Sequence, residues 1–431
     1  MEREVEVFID LNGDAHFVGK LWPRVSRGRE SASFKYDEQW LRSPLRFALE
    51  PALFIDDRTH HTQPGFSLFG AIGDSSPDRW GRILMKRLER KTAQKEGRAP
   101  RTLMEIDYLL RVDDRLRQGA LRFRVQGGQF LANAVSAIPP LIQLSRLLSA
   151  SDRVLEDRDT DEDLRILLAP GSSLGGARPK ASVIDSDGSL TIAKFPDSGD
   201  EYSVEMWSYL ALGLAGKAGI SVPPCRIEDI DGRKVLLVTR FDRSGTKRIP
   251  FLSAMSMIVA SDHENHSYLE LVDALRRNGA ATKSDLAELW KRVLFNVLVS
   301  NVDDHLRNHG FLYDTQDNGW RLSPAYDINP VPRDIKPGYL SMLIDENDSE
   351  ASFDLVMSTR SYYGLDDASV NEIVHDVVAA VSTWDREAAI IGIKKSEIER
   401  MSSAFQNQAF NDAKNFLSKV PAKPEIKIPT R

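Results

Sequence analysis

The sequence predicts an α+β protein with two lobes, and two observations lead to that prediction. Before about residue 245, short apolar–polar alternations surround tight turns, which is typical of antiparallel hairpins. After residue 246, apolar residues recur at helical spacing instead, most clearly over residues 286–298. Strands and helices that are grouped, rather than alternating, favour an α+β architecture. A chain of 431 residues is long enough for two or three subdomains.

The composition is that of a globular protein and excludes several function classes. Hydrophobic residues make up 42% and charged residues 28% of the chain, and the net charge of −6 gives no reason to expect direct nucleic-acid binding. The single cysteine, Cys225, excludes an internal disulfide framework and a cysteine-based zinc cluster. The N-terminus has no signal-peptide run, and no apolar stretch reaches the roughly 20 residues that span a bilayer. We therefore expect a cytoplasmic protein without membrane contact.

The first part of the chain is predicted to be rich in strands. Residues 4–22 alternate around Asn12-Gly13, a pair that favours the positive φ angles of a hairpin turn. The stretch D-S-S-P-D-R-W-G-R at residues 74–82 predicts a turn that leads into a helix, because proline is favoured near a first helical turn. A further strand is predicted over residues 120–125.

A glycine-rich stretch, G-S-S-L-G-G-A-R-P-K at residues 171–180, precedes the next hairpins. It is not a P-loop, because Ala177 stands where that motif requires lysine. A flexible linker is the commoner meaning of such runs. This run, however, is short, ends in Arg178 and Lys180, and leads into a strand. Its backbone N–H groups and cations would suit phosphate oxygens.

The hairpin that follows the glycine-rich stretch ends on Lys194. A lysine in this position is either solvated at a strand end or pairs with nucleotide phosphates, as in kinases. The next predicted helix, over residues 201–218, offers Glu201 and Glu205 as carboxylates that could orient the lysine.

A second candidate for nucleotide contact is V-T-R-F-D-R at residues 238–243, where the two predicted lobes would join. Its backbone, around Thr239 and Phe241, could hydrogen-bond the edge of an adenine. The alternative is an ordinary exit from a strand into a loop.

The strongest chemical signal lies within residues 295–329, where Asp303 is followed five residues later by Asn308 and then by Asp327. In a kinase catalytic loop with this spacing, the aspartate takes the acceptor's proton and the asparagine holds magnesium. Asp327 would be the second ligand, because magnesium prefers hard oxygen atoms. Each residue alone could simply satisfy a turn. Their position after a buried helix and around a short hairpin favours a phosphotransferase.

Asp303 is followed directly by two further polar residues, Asp304 and His305. The side chain of Asp304 is expected to point elsewhere. His305 either contacts the metal-binding loop or a phosphate, or packs beneath the loop. A zinc helix built on His305 and His309 is disfavoured, because the glutamate of the H-E-x-x-H motif is absent.

Taken together, these motifs resemble the HipA family, the bacterial toxin kinases of HipBA-type toxin–antitoxin modules. The matching pieces are S-L-G-G-A-R-P-K (173–180), I-A-K-F-P (192–196), R-F-D-R (240–243), N-V-D-D-H-L-R-N (301–308) and L-S-P-A-Y-D-I (322–328), with D-S-S-P-D-R-W-G-R (74–82) and G-A-L (119–121) upstream. They occur in the family's order over nearly the full length.

The resemblance implies a protein-kinase-like fold with an extra N-terminal β-rich subdomain and an all-helical C-terminal lobe. The implied division is residues 1–125 for the N-terminal subdomain, 126–245 for the kinase N-lobe with its glycine-rich loop, and 246–431 for the C-lobe with the catalytic loop.

The resemblance also implies ATP- and magnesium-dependent serine/threonine phosphorylation, with Asp303 as catalytic base and Asn308 and Asp327 as magnesium ligands. Nucleotide contacts are expected from Lys194, Ser173, Gly175, Gly176, Lys180, Thr239, Phe241 and His305. Family members inactivate themselves by phosphorylating a serine of the glycine-rich loop, which corresponds to Ser173, with Ser172 as the alternate. The expected partner is a HipB-like helix-turn-helix antitoxin that contacts operator DNA, and a possible target is glutamyl-tRNA synthetase.

Two other functions compete with the toxin kinase. A small-molecule kinase of the aminoglycoside or choline type shares the Asp–Asn–Asp chemistry, but usually needs an acidic or aromatic pocket for its acceptor. An idle binding module for an antitoxin or DNA would need one of those three residues to be lost, and all three are present.

Overall fold

The computed structural model describes residues 4–125, 127–130, 138–168, 176–261 and 264–419. Its N-terminal part is an antiparallel sheet in the order β4-β3-β2-β1-β5. The strands are β1 (Val5–Leu11), β2 (Asp14–Ser26), β3 (Arg29–Tyr36), β4 (His60–His61) and β5 (Leu121–Val125). Leu11 pairs with Asp14, and Asn12 and Gly13 between them have φ angles of 58° and 98°. The predicted Asn-Gly hairpin is therefore confirmed.

Four helices lie within this first part: α1 (Glu38–Arg42), α2 (Gly70–Gly73), α3 (Arg79–Lys95) and α4 (Glu105–Arg111). Helix α3 is the one predicted after the turn at residues 74–78. Asp78 caps it by accepting a hydrogen bond from the Gly81 N–H at 2.8 Å. Proline therefore lies just before the cap rather than inside the first turn.

The middle part contains a four-stranded antiparallel sheet in the order β6-β7-β9-β8. Its strands are β6 (Lys180–Ile184), β7 (Leu190–Lys194), β8 (Cys225–Ile230) and β9 (Arg233–Thr239), and the helices are α5 (Leu144–Leu155), α6 (Asp161–Leu168) and α7 (Val204–Lys217). Trp80 and Leu84 of α3 share one hydrophobic core with Phe195 and Leu237. The N-terminal part therefore packs directly into this lobe.

The C-terminal part is mainly helical. Its helices are α8 (Ala254–Met257), α9 (Tyr268–Asn278), α10 (Thr282–Leu298), α11 (Phe353–Ser358), α12 (Asp367–Val381), α13 (Trp384–Ile390), α14 (Lys395–Phe405) and α15 (Gln408–Lys419). Helix α10, the predicted apolar helix, is central to the core, with Trp290, Val293 and Phe295 fully buried. No helix in the described ranges is long and apolar enough to cross a lipid bilayer.

Strand β10 (Arg243–Ser244) lies just before the C-terminal lobe and pairs with β11 (Lys247–Arg248). The expectation of an all-helical C-terminal lobe is corrected by four short strands within it: β11, β12 (Phe251–Ser253), β13 (Gly310–Asp314) and β14 (Gly319–Leu322). The last three form a sheet in the order β12-β13-β14. The short hairpin predicted near Asp327 is confirmed by β13 and β14, in which Asp314 pairs with Gly319. Strand β12 escaped prediction because it is only three residues long and pairs with a strand some sixty residues away.

A buried cluster of charged residues joins the N-terminal part to the connection between the lobes. Arg240 and Asp242 form an ion pair at 2.6 Å, and Arg243 contacts the same carboxylate at 2.8 Å. The two guanidinium groups also donate to backbone carbonyls of Leu116, Arg117 and Gly119. Charges this deeply buried are tolerated only when they are paired and hydrogen-bonded. Residues 116–119 therefore hold residues 240–243, which belong to the segment predicted to lie between the lobes.

Glu50 is a buried glutamate of the N-terminal part, and its protonation should make the stability of the protein depend on pH. Its buried carboxyl accepts a hydrogen bond from the Ala71 N–H at 2.6 Å, and burial, together with the nearby charge of Asp74, raises its pKa to about 8. The folded state therefore keeps a proton that the unfolded chain releases. The free energy of unfolding should fall as the pH rises from about 4.5 to about 8, by up to about 1.4 kcal/mol per pH unit from this group.

We expect Glu50→Gln to remove that slope while keeping the acceptor oxygen. Urea unfolding should give similar stabilities for the variant and the wild type near about pH 5, and a more stable variant near about pH 8. Parallel stability curves for the two proteins over this range would contradict the assignment.

Candidate active site

The loop that carries Asp303 and Asn308 begins where helix α10 ends. Ser300 has a φ angle of 53°, which is uncommon for a residue other than glycine, and its buried hydroxyl donates to the Ala404 carbonyl at 2.9 Å. Next to it, the Asn301 side chain donates to the Asn296 side chain of α10 and accepts from the Asn329 N–H. These contacts fix the direction in which the loop leaves the helix.

Asp304 holds the loop from beneath. One of its carboxylate oxygens, Oδ2, accepts from the Tyr268 hydroxyl at 2.5 Å and the Asn296 amide at 2.9 Å, and lies 2.7 Å from His309 Nε2. Burial would raise the pKa of this carboxyl, but the charge and hydrogen bond of His309 and the Tyr268 hydroxyl bring it below its usual value. The prediction that Asp304 points away from Asp303 is confirmed.

Asp303 lies on the open side of the same loop. Its side chain is 64% exposed, and the Lys336 ammonium lies 3.6 Å from its carboxylate. Its backbone carbonyl accepts from the Asn308 side-chain amide at 3.2 Å. An exposed carboxylate on a rigid loop can be reached by a hydroxyl group of another molecule, which is the geometry that proton acceptance requires.

Asn308 presents a buried oxygen atom without a partner. The residue is 5% exposed; its amide nitrogen is bound to the Asp303 carbonyl, which leaves Oδ1 without a hydrogen-bond donor among the described residues. Leaving a buried acceptor unsatisfied is costly, so such an atom calls for an explanation. A hard cation would satisfy it. The loop is also tied to the segment before Asp327, because the Tyr326 hydroxyl donates to the Arg307 carbonyl at 2.7 Å.

Asp327 joins the two lobes. Its φ angle is 58°, and its carboxylate accepts from the Lys194 ammonium of strand β7 at 2.7 Å and from the Asn329 amide at 3.2 Å. Burial opposes the charged form, but the charge and hydrogen bond of Lys194, with a contribution from Lys180, lower the pKa of Asp327 well below its usual value. The carboxylate is therefore ionised at neutral pH.

The prediction that Glu201 or Glu205 orients Lys194 was wrong. Glu205 pairs with Arg178 at 3.0 Å, and Glu201 pairs with Arg400, so neither glutamate is the one that binds Lys194. Sequence distance explains the error, because Asp327 is 133 residues from Lys194 and only the fold brings them together.

Of the glycine-rich stretch, Ser172, Ser173 and Gly175 lie outside the described residues. Gly176 is described, with a φ angle of 82° that favours glycine. Its carbonyl accepts from the Trp80 N–H at 3.4 Å and from the Lys180 ammonium at 3.2 Å. Lys180 is buried and pairs with Asp78 at 3.0 Å. The end of the stretch is thus held by the start of helix α3.

The structure also describes the other predicted contact residues, Thr239, Phe241 and His305. Thr239 ends strand β9 and pairs with Thr191 in the register, and the Phe241 ring lies 5.4 Å from the ring of Tyr326. His305 is partly buried, its carbonyl accepts from the Asn308 N–H at 2.8 Å, and its Nδ1 has no hydrogen-bond partner among the described residues.

The donor set fits magnesium better than a transition metal. Within the described ranges there is no group of three or more histidine, cysteine, aspartate or glutamate residues that could hold a metal. Magnesium instead binds proteins through few oxygen ligands, and nucleotide phosphates and water complete its coordination shell. Asp327 offers one carboxylate and Asn308 offers one unsatisfied amide oxygen for such a site.

Sequence reasoning missed several residues that shape this region. Tyr268 and Asn296 bind the loop through buried hydrogen bonds, and Asn329 through a partly buried one. Lys336 approaches Asp303 from a later segment. Asn329 follows Asp327 so closely that the D-I-N spacing could have suggested it. For the others, the sequence contains no comparable signal.

A β-sheet lobe, a helical lobe and a lysine–aspartate pair between them define the class of this protein: it has a kinase-like fold. Residues 172–384 match the model of the HipA-like C-terminal domain. A solved structure of Shewanella oneidensis MR-1 HipA, in complex with HipB and operator DNA, superposes with a TM-score of 0.65 at 16% identity, over 97% of this chain and 100% of that one. Residues 172–384 are therefore similar to the C-terminal domain of the HipA family, and the whole chain shares the fold of the Shewanella HipA structure.

Two curated relatives come from Sinorhizobium fredii, and both carry provisional names as kinases. Y4mE is 28% identical over 182 residues, which are 36% of this chain and 41% of that protein. Y4dM is 27% identical over 186 residues, or 36% of this chain and 44% of that protein. The chain thus spans less than half the length of these two relatives.

Removal of the buried carboxylate by Asp304→Ala should lower the free energy of unfolding by about 3–5 kcal/mol, because it leaves the polar groups around it unpaired. Urea unfolding measures this. Asp187→Ala, which removes an exposed carboxylate from a hairpin turn, is the matched control and should cost about 1 kcal/mol at most. Equal losses in the two variants would show that Asp304 has no special role.

Proposed function

We propose that this protein is an ATP- and magnesium-dependent serine/threonine protein kinase that acts as the toxin of a type II toxin–antitoxin system in the cytoplasm. The observation that supports this most directly is the pairing of Lys194 with Asp327 across the two lobes. Beside that pair lie an exposed aspartate and an unsatisfied amide oxygen on one loop. Phosphoryl transfer needs this combination of cation, metal ligands and acceptor-orienting carboxylate.

Each residue has a separate task in this proposal. Asp303 orients the acceptor hydroxyl and takes its proton, which its exposed position permits. Lys194 exchanges its contact with Asp327 for nucleotide phosphates, so that Asp327 becomes available as a metal ligand together with Asn308. Bound magnesium would neutralise charge on the phosphate oxygens. The adenine would lie against the backbone of Thr239 and Phe241, with Gly175, Gly176, Lys180 and His305 near the phosphates.

Self-inactivation is proposed for the glycine-rich stretch, at Ser173 or alternatively Ser172. A phosphate group there would add about −1.5 to −2 charges beside the nucleotide phosphates, and repulsion would disfavour the ATP-bound state. We further propose a HipB-like helix-turn-helix antitoxin as partner, with operator DNA contacted mainly through it, and an aminoacyl-tRNA synthetase such as the glutamyl enzyme as target. The Shewanella HipA structure, which contains HipB and operator DNA, supports the choice of partner.

Asp303→Asn should retain magnesium-dependent nucleotide binding within about threefold and lose phosphoryl transfer by about 100-fold or more, because only the proton acceptor is removed. Incorporation of label from ATP into protein measures transfer, and calorimetry measures binding. Normal turnover by this variant would rule out the role of Asp303. Label that appears on small amines and never on protein would favour a small-molecule kinase instead.

Asp327→Asn should weaken nucleotide binding by about tenfold or more in the presence of magnesium, and much less in its absence, because the change removes a metal ligand. Calorimetry with ADP, with and without magnesium, gives both values. Asp229→Asn, which changes an exposed aspartate paired with Lys234, serves as the control. An equal loss under both conditions would contradict metal binding by Asp327.

Incubation of the purified protein with ATP and magnesium should add one phosphate, about 80 Da, to the peptide that contains Ser172 and Ser173. Mass spectrometry of Ser173→Ala and Ser172→Ala variants separates the two positions. Complete absence of the modification from the wild-type protein would exclude self-inactivation at this stretch.

A further inference from the structure

The segment Asp74-Ser75-Ser76-Pro77-Asp78 has no role in the function proposed so far, yet its two carboxylates contact different lobes. Asp74 and Asp78 are both partly buried, and each carboxylate has hydrogen-bond or ion-pair partners. The segment, called the clasp below, connects helix α2 to helix α3.

Asp74 binds the C-terminal lobe. Its Oδ2 accepts from the Ser253 N–H at 2.6 Å and its Oδ1 accepts from the Ser253 hydroxyl at 2.8 Å. Ser253 ends strand β12, and the next residue, Ala254, donates its N–H to the His309 carbonyl at 2.8 Å. His309 directly follows Asn308. The clasp is therefore tied to the backbone of the catalytic loop through one short connection.

Helix α2 reinforces this contact. A Cβ atom at Gly70 would lie 2.6 Å from the Cβ atom of Ser256 in helix α8, so only glycine allows the two helices to approach this closely. The C-terminal side of the clasp is thus packed as well as hydrogen-bonded.

Asp78 binds the N-terminal lobe. Its Oδ2 accepts from the Lys180 ammonium at 3.0 Å, while its Oδ1 caps helix α3. Lys180 is paired in the β6–β7 register with Lys194, and it also holds the Gly176 carbonyl at the end of the glycine-rich stretch. Asp78 is therefore connected to the phosphate side of the proposed nucleotide site.

The clasp itself has little conformational freedom. The N–H groups of Ser75 and Ser76 donate to the carbonyls of Ile72 and Gly73, and the fully buried Arg117 donates to the Ser75 carbonyl at 2.9 Å. Pro77 restricts its own φ angle and the conformation of Ser76. A short rigid segment that is fixed at both ends sets a distance between the groups that it connects.

We propose that the clasp is a positioning element that fixes the separation of the two lobes and so prepares the site for a magnesium–nucleotide complex. This inference rests on the proposed kinase function. A site whose two halves are already held in place loses less conformational freedom when a ligand bridges them, and therefore binds that ligand more tightly.

A purely structural role makes a different prediction. If Asp74 and Asp78 only stabilise the fold, their effects arise at separate contacts and add in the free energy of unfolding, without changing nucleotide affinity in the folded protein. If they are the two ends of one clasp, releasing either end frees the lobes, and releasing the second end has little further effect on affinity.

The experiment compares Asp74→Asn, Asp78→Asn and the double variant by calorimetry with ADP and magnesium, alongside urea unfolding. Asp78→Asn keeps the oxygen that caps α3 and removes the charge that pairs with Lys180. Asp366→Asn is the matched control, because Asp366 caps helix α12 by accepting the Ser369 N–H at 2.8 Å and is exposed. Ser253→Ala replaces Asp74→Asn if that variant does not fold.

We expect each single variant to weaken the binding of ADP with magnesium by about 5- to 30-fold, which lies in the lower part of the usual range of coupling between distinct sites. The double variant should be within about twofold of the weaker single variant, while the control matches the wild type. Single variants that bind within twofold of the wild type, or losses that multiply in the double variant, would overturn the clasp alone. A wild-type protein that does not bind ADP would overturn the kinase proposal and the clasp together.

Discussion

The candidate active site depends on one buried carboxylate, that of Asp304. A single oxygen atom of this group contacts Tyr268 of helix α9, Asn296 of helix α10 and His309, the residue before strand β13. Because a buried charge is tolerated only when it is fully hydrogen-bonded, these elements have one favourable arrangement around it. The backbone on either side of Asp304 is thereby fixed, which leaves Asp303 facing solvent and Asn308 facing inward.

Charged contacts that are far apart in sequence connect the three parts of the molecule. Lys194 reaches Asp327 between the lobes, Lys180 reaches Asp78, and Arg240 with Asp242 binds the carbonyls of residues 116–119. Buried ion pairs contribute little net stability compared with apolar packing, but breaking one is costly because it leaves a buried charge unpaired. The N-terminal part is therefore built into the kinase-like body rather than attached to its surface.

Much of the local structure was predictable because its causes are local. Asn12-Gly13 favours positive φ angles, Asp78 caps the helix after Pro77, and the apolar repeat in residues 286–298 matches one face of a helix. The spacing of Asp303 and Asn308 is likewise a property of one short loop. The all-helical C-terminal lobe was wrong because strand β12 forms only by pairing with a distant strand, so its three residues contain no pattern of their own.

The sequence by itself determined which residues the proposed phosphoryl transfer would use and in which turns and helices they lie, because side-chain type and short-range periodicity are local properties of the chain. Only the tertiary structure decided their partners. Lys194 pairs with Asp327 and not with Glu205, and Lys180 pairs with Asp78. The amide oxygen of Asn308 has no hydrogen-bond donor among the described residues. Such pairings depend on which buried charges can be satisfied together when the whole chain is packed, and no local segment contains that information.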